Sequence, residues 1–522
     1  MADLDLAESH LLSWLSTVGL DAHYVRAEGD YLYRLDADGH EIPVVDFAGG
    51  YGSLMLGHNH PEIVALAQRM LRGGAPVHAQ FSRHPYATEL AARLSAIVQR
   101  ETGADEPYRS VFANSGAEAV EIAVKHAELD RALKAAELQE EIARHLQEAR
   151  AAVAAGTASV SAQAAAAAGL TVADLKRDPA DALARRITEL NGDAVEGCGP
   201  VLFALEGGFH GKLMGSVQLT HNAAYRAPFA ALGIPARFVA RDRLASLPEL
   251  FEQERVYLID PVVTGDEITI VRRPLPVLCA FLLEPVQGEG GIHALDARDA
   301  AFIQAACAQA DCPVIVDEVQ SGMGRTGTFL ASSAIGLRGD YYALAKSLGG
   351  GIAKAAVTLT RSSRYRPQFE LVHSSTFAKD YFSTTIGLKV LDLLEADDGA
   401  AYRKAAERGA YLGAMLAAVR SEFPDVVREV RGRGLMRGLE FHDQSGSPAA
   451  AVREHAEGGT LGYALAGKLL RDHRVRTFPT ASSPNTLRFE PSINIGDKEV
   501  AQLETGLRDV CEMLRAQDGA AL

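Results

Sequence analysis

Between about residues 105 and 360 the chain repeats one pattern. Short apolar runs at 111–113, 201–205, 279–283, 314–316, 341–345 and 355–359 are separated by stretches long enough for a helix. Runs this short, with no polar alternation, fit strands covered on both faces. Strands of that kind occur in mainly parallel sheets whose crossovers are helices, so the pattern predicts an α/β domain. A chain of 522 residues also has room for a second lobe. Beyond residue 400 the texture changes. Residues 402–419 have helical period. Val430, Gly434, Leu435, Leu439 and Phe441 suggest a strand with a glycine-rich entry. A helix at 462–471 and a strand at 486–490 follow. These features predict a large domain over 61–395 and a small α+β domain over 396–522, which the N-terminal segment 1–60 joins.

One stretch, about 127–199, reads as a helical insertion. Glu118 to about Ala154 forms one amphipathic period, with Leu138, Ile142 and Leu146 four residues apart. Gly156 and the small residues up to Leu170 break it. Thr171 with Asp174 resembles a capping box. Asp178-Pro179 reads as an N-cap with proline at the first helical position, and Asn191-Gly192 as the end of that helix.

Composition narrows the partners. A net charge of −15 argues against nucleic acid or an anionic membrane surface. No apolar stretch is long enough to span a bilayer. The first residues carry acids where a secretory leader needs bases. The five cysteines, Cys198, Cys279, Cys307, Cys312 and Cys511, form no CxxC pair, and the 16 histidines do not cluster with them. We therefore expect reduced thiols, a cytoplasmic location and no metal.

The chemistry-bearing residues follow the apolar runs. After 111–113 comes Asn114-Ser115-Gly116-Ala117-Glu118, a turn into a helix whose free N–H groups suit a phosphate. After 201–205 comes Glu206-Gly207-Gly208-Phe209-His210-Gly211, an aromatic ring between glycines that can lie on a planar ligand. Asp317 ends the run 314–316, where a carboxylate can hold a pyridinium N–H. Lys346 leaves a buried run into Ser347-Leu348-Gly349-Gly350-Gly351, where poor solvation lowers its pKa and favours attack on carbonyls. Taken singly, each has a plain structural explanation: a capped helix, a buried loop aromatic, a strand-end cap, a lysine reaching back to the surface. Together they make up what a pyridoxal 5′-phosphate (PLP) site requires.

The order and wording of these motifs resemble the class III aminotransferases, the family of the ornithine, acetylornithine and 4-aminobutyrate aminotransferases. The matching stretches include DFAGGYGSLMLGHNHPEIV (46–64), FANSGAEAVEIAVKHA (112–127), FHGK (209–212), FLLEPVQGEGG (281–291), VIVDEVQSGMGRTGTF (314–329), ALAKSLGGGIAKA (343–355) and LRFEPSINI (487–495). The match is interrupted at about 127–199 and near 250–275. It implies the aspartate-aminotransferase-like PLP-dependent transferase fold, type I.

It also implies roles. Lys346 would form the internal aldimine and then move the proton between substrate Cα and cofactor C4′. Asp317 would keep the pyridine nitrogen protonated. Val319 would pack on one ring face and Phe209 on the other, with His210 beside it. Gln320 would lie near the ring 3′-oxygen. Ser115, Gly116 and Ala117 would hold the phosphate, and Thr376 would reach the phosphate of the neighbouring subunit, which implies a homodimer with interfacial active sites. Arg488 would bind a substrate carboxylate. Glu284 resembles the glutamate that, in some members, masks an arginine while the second substrate is bound. Glu289 and His293 read as loop-ordering residues. The stretch Phe377-Ala378-Lys379-Asp380-Tyr381 departs from the family's usual Gly-Gly-Asn-Pro. The activity implied is transfer of an amino group from an amino acid or amine to an oxo acceptor. Racemisation, decarboxylation and β/γ-elimination or replacement on the same fold stay open, because fold and cofactor do not select among them. A catalytically silent protein is disfavoured by the intact Lys346 and Asp317. A nucleotide-binding one is disfavoured by the lack of a GxGxxG or P-loop.

Overall fold

The computed structural model describes residues 7–78, 82–171, 173–176 and 178–522. Its central sheet has seven strands: β1 (Tyr108–Ala113), β2 (Val201–Leu205), β3 (Arg237–Val239), β4 (Leu278–Leu283), β5 (Val314–Asp317), β6 (Tyr341–Leu344) and β7 (Ala356–Arg361). Their spatial order is β1-β7-β6-β5-β4-β2-β3. All pairs are parallel except that β7 runs against both β6 and β1. The fold is thus the expected α/β type. The reason for unbroken apolar runs is visible in β5 and β6. Val314, Val316, Tyr342 and Leu344 pack into one core, whereas Ile315, Tyr341 and Ala343 pack into a second core on the other face. Strand β3 shows no apolar run because it is only Arg237-Phe238-Val239, with Arg237 exposed.

A second, four-stranded sheet has the order Val427–Arg433, Met436–Phe441, Ser483–Phe489, Phe478–Thr480. The sequence suggests one strand from Val430 to Phe441. The structure instead forms a hairpin there, with Gly434 at φ +53° in its turn. A Cβ on Gly434 would lie 2.6 Å from the Thr326 backbone, so only glycine fits. Near the N-terminus, strands Tyr24–Glu28, Tyr31–Leu35 and Glu41–Asp46 form a meander. Val475–Arg476 extends it, running parallel to Glu41–Asp46.

The two interruptions of the family resemblance fold into one body. The long helix is Gly116–Ala154, capped by Ser115. Beyond its root, Leu138, Ile142 and Leu146 pack with Leu258, Leu275 and Val277. Those residues come from or directly follow a β-hairpin, Val256–Thr264 with Glu267–Leu275. Ser159–Val160 adds a third strand, and helix Pro179–Glu196 closes the arm. Two local expectations are corrected. Helix Pro179–Glu196 runs through Asn191-Gly192, because Asn191 turns to the hairpin: its amide donates to the Ile259 carbonyl at 2.9 Å and accepts from the Ile259 N–H at 2.8 Å. Thr171 and Asp174 are hydrogen-bonded as expected, but residues 173–175 form a turn and start no helix.

Candidate active site

The site residues converge because the C-terminal ends of β1, β2, β5 and β6 share one edge of the sheet, the usual place for ligands in open α/β sheets. After β1, the Ser115 hydroxyl accepts the Glu118 N–H, while the Glu118 carboxylate accepts the N–H groups of Asn114 and Ser115 at 2.6 and 2.9 Å. This capping box leaves the helix N-terminus ready for an anion. A Cβ on Gly116 would sit 2.7 Å from Val319 Cγ1, and one on Gly211 would sit 2.6 Å from the Ala117 Cβ. The loops 115–117, 209–211 and 317–320 are therefore drawn together, and two glycines allow the approach.

Behind them Asp317 is buried and doubly held. Its Oδ1 accepts the Val319 N–H at 3.0 Å, and its Oδ2 meets His210 Nδ1 at 2.9 Å. A carboxylate offers more lone-pair positions than these two hydrogen bonds use, so it can still accept a pyridinium N–H. The other ring nitrogen of His210 is buried with no partner among the described residues. Val319, whose N–H Asp317 holds, and Phe209, next to His210 in the chain, are half-buried. Phe209 is anchored by its N–H to Glu284 Oε1 at 2.9 Å.

Lys346 follows β6 at φ 48°, a left-handed backbone that costs a non-glycine residue strain. Burial pulls its pKa below the ordinary lysine value, against the fields of Glu490, Glu289 and Asp317. A desolvated amine at a strained strand end is a poised nucleophile.

Arg488 is fully buried. Its Nη1 donates to Glu289 Oε1 at 2.6 Å, Nη2 to Glu289 Oε2, and its plane lies 5.0 Å from the Tyr51 ring. Burial alone would lower the Arg488 pKa; Glu289 reverses that and holds it high. The expectation for Glu284 is therefore corrected. Glu284 does not cover Arg488: its Oε2 accepts the Gly288 N–H at 3.0 Å, and burial pushes its pKa up to about 7. The residue on the arginine is Glu289, five positions on, because the turn after β4 carries it across to strand Ser483–Phe489. Gln320 spends its amide on Glu490, with Nε2 at 2.7 and 2.9 Å from the two carboxylate oxygens. Thr376 is exposed. Its carbonyl accepts from His78 Nε2 at 2.6 Å, while neighbouring Ser375 accepts from Asn114 Nδ2 at 2.9 Å, so this loop also reaches the helix N-terminus. Sequence reasoning missed Glu490; a lone acid between Phe489 and Pro491 at a buried strand end was its only signal.

The residues fit PLP on structural grounds. They supply a capped helix N-terminus for the phosphate, a buried acceptor for a protonated ring nitrogen, and a desolvated amine. Bound there, PLP supplies the electron sink for chemistry at a substrate carbon attached to nitrogen.

A sequence profile of the family "Aminotransferase class-III" matches residues 16–509. The putrescine aminotransferase of Pectobacterium atrosepticum is 26% identical, over 92% of this chain and 80% of its own. Aminotransferase PigE of a Serratia species is also 26% identical over 97% of this chain, which spans only 52% of that longer protein. Among solved structures, an amine transaminase from an uncultivated Pseudomonas species in its PLP-bound form aligns with a TM-score of 0.66, at 20% identity and 98% coverage of both chains. The ornithine aminotransferase of Toxoplasma gondii aligns with a TM-score of 0.65, at 19% identity, over 95% of this chain and 92% of its own. These two show the shared fold. Profile, relatives and site together identify the chain as a member of the class III aminotransferases, PLP-dependent enzymes that transfer amino groups.

Proposed function

We propose that the donor is a primary amine or diamine with no carboxylate beside the reacting carbon, and that the acceptor is a 2-oxo acid. The observation that supports this is the Arg488–Glu289 pair. While Glu289 occupies the guanidinium, the pocket offers a carboxylate-bearing donor no free cation at that point, yet it admits a neutral alkyl amine. When the acceptor arrives, its carboxylate competes for Arg488 through two parallel N–H bonds. The name of the Pectobacterium relative agrees with an amine donor.

In this reading Lys346 bears the cofactor and then holds or releases the proton at the substrate carbon. Asp317, steadied by His210 and the Val319 N–H, keeps the ring nitrogen protonated. Ser115, Gly116 and Ala117 bind the phosphate, and Phe209 and Val319 flank the ring. The enzyme works as a homodimer in the cytoplasm. The exposed Leu371, Val372 and Phe377, next to Thr376, supply an apolar patch for the mate, and five free cysteines suit a reducing compartment. A spectral titration of the purified enzyme with mono- and diamines and with α-amino acids tests the donor class, with products identified by mass spectrometry. Amines should convert the bound cofactor to its amino form at far lower concentration than α-amino acids; the reverse order would overturn the reading.

A further inference from the structure

Glu490 is fully buried, and its carboxylate has one side-chain partner among the described residues, the amide of Gln320. Buried carboxylates are usually matched by a cation, because an unmatched one is costly to desolvate. The guanidinium facing it does not reach it. Arg325 spends its Nη groups on the carbonyls of Leu435, Pro491 and Gly52 and leaves Nε without a partner. Gly52 joins this cluster to the lysine. Its carbonyl also accepts from the Ser347 hydroxyl at 3.1 Å, and a Cβ on it would sit 3.3 Å from both Gln320 Cγ and Glu490 Oε1. At φ +81°, a conformation that favours glycine, Gly52 lets the Lys346 turn, Gln320 and Glu490 close on one another. Burial lowers the Lys346 pKa; Glu490, Glu289 and Asp317 act to raise it and Arg488 to lower it.

We infer that Glu490 is a positioning residue for the Lys346 nitrogen. Its charge keeps that nitrogen protonated when it is joined to the cofactor, and its two hydrogen bonds fix the amide of Gln320 so that the Gln320 carbonyl, not its NH2, is turned away from Glu490 toward Gly288. The first half follows from sign: a fixed negative charge in a water-poor pocket stabilises a neighbouring cation. The second follows from the geometry: the Gln320 NH2 donates to both Glu490 oxygens, and Gln320 Oε1 is left where a Cβ on Gly288 would sit 1.9 Å from it.

This rests on Lys346 carrying the cofactor, so the experiment begins by reducing the holoenzyme with borohydride and mapping the labelled peptide. The visible band of the bound cofactor is then titrated with pH in the parent, in Glu490→Gln, which keeps the shape and loses the charge, and in Glu490→Asp, which keeps the charge. The expected result is label on Lys346, a midpoint lowered by about one pH unit or more in Glu490→Gln, and a midpoint within about 0.3 unit of the parent in Glu490→Asp. Label on Lys346 with an unmoved midpoint in Glu490→Gln overturns the inference alone. Equal shifts in both variants also overturn it, since they would report packing and not charge. Should Glu490→Gln fail to fold, a Glu490→Asp midpoint lowered by a unit would count against the inference in the same way, and a retained one for it. Label on another lysine overturns both the inference and the reading beneath it.

Discussion

The pocket around Lys346 and the arm built from 127–199 and 256–275 both bury charge, and they do so in opposite ways. In the arm, Asp260 is fully buried, with one oxygen 2.8 Å from His145 Nδ1 and the other accepting from Arg273 at 3.0 Å; Arg273 continues to Glu141 at 2.9 Å. Every member has a partner. In the pocket, His210 Nε2, Arg325 Nε and Arg488 Nε are buried without one, and Glu490 leans on a neutral amide. Among the described residues of the two arm segments no such orphan occurs. Completed networks hold a structure together, whereas incomplete ones that cluster in a cleft leave groups for something else to bind. The contrast holds between these two regions; Ser110, Thr360, Ser362 and Arg408, outside the pocket, also bury atoms without a partner, so it is the convergence of three such groups with Lys346 and Asp317 that marks the site.

The sharpest way to break that contrast is at Asp317. Asp317→Ala should leave the arm and fold intact and lower turnover by about a hundred- to a thousandfold, the ~3–4 kcal/mol typical of removing a charge-assisted hydrogen bond at the reacting centre. Near-normal turnover would mean that the ring nitrogen has another partner and that His210 holds Asp317 for purely structural reasons.

Next in size is a pH effect on stability at Glu284. Burial raises its folded-state pKa to about 7 from an ordinary 4.5, so the native state binds a proton that the unfolded state has released. Stability is therefore fully present below about 4.5 and is lost as pH rises toward 7. The size is roughly 3 kcal/mol for a shift of about 2.5 units. Glu284→Gln, neutral at every pH, should flatten the Tm profile of cofactor-free protein over that window. An unchanged slope would assign it elsewhere.

How much of this was legible beforehand follows from what each signal is made of. The runs at 314–316 and 341–345 announced β5 and β6 because strands buried on both faces are apolar throughout. Strand β3 gave no run, since it has only three residues and the first is the exposed Arg237. That Lys346, Asp317, Phe209 and the 115–117 turn sit together at the strand ends was readable because each lies next to its strand in the chain. The partner of Arg488 was not. Glu284 and Glu289 both occur in one short segment, and only the path of the turn after β4 decides which reaches a strand about 200 residues away. Glu490 escaped for the same reason: its partner Gln320 lies 170 positions away. The arm's hairpin is a third case. It lies beyond β2 and β3 in sequence while the helices it packs on lie before them, so the sequence showed two interruptions where the fold has one body.

A smaller effect is expected at Arg488. Arg488→Lys retains a charge for Glu289 but loses the second parallel N–H bond. KM for the 2-oxo acid should rise about tenfold, ~1.4 kcal/mol, while KM for an amine donor changes little. Steady-state kinetics with each substrate varied in turn would show it. Equal losses for both would mean that Arg488 supports the pocket and does not select the acceptor.

The smallest effect on turnover should come from the arm, and here the comparison is most exposed. The 115–117 turn leads into the arm through one helix of 39 residues, about 58 Å long at 1.5 Å per residue. A continuous helix is the obvious route by which damage in the arm would reach the cofactor. We expect it not to. Ala119, Val120, Ile122, Ala123 and Ala127 clamp the root of the helix into the core shared by β4, β5 and β6. Ile268 lies in a separate cluster with Ala149, Ala168, Leu183 and Ile187. Ile268→Ala removes a fully buried side chain from that cluster, a change that typically costs ~2–5 kcal/mol. Hydrogen exchange should accelerate in 141–196 and 256–275, while cofactor affinity and turnover stay within about twofold of the parent. If cofactor affinity falls about tenfold instead, the helix transmits strain from one end to the other, and the arm is a means of control over the phosphate site and not a scaffold beside it.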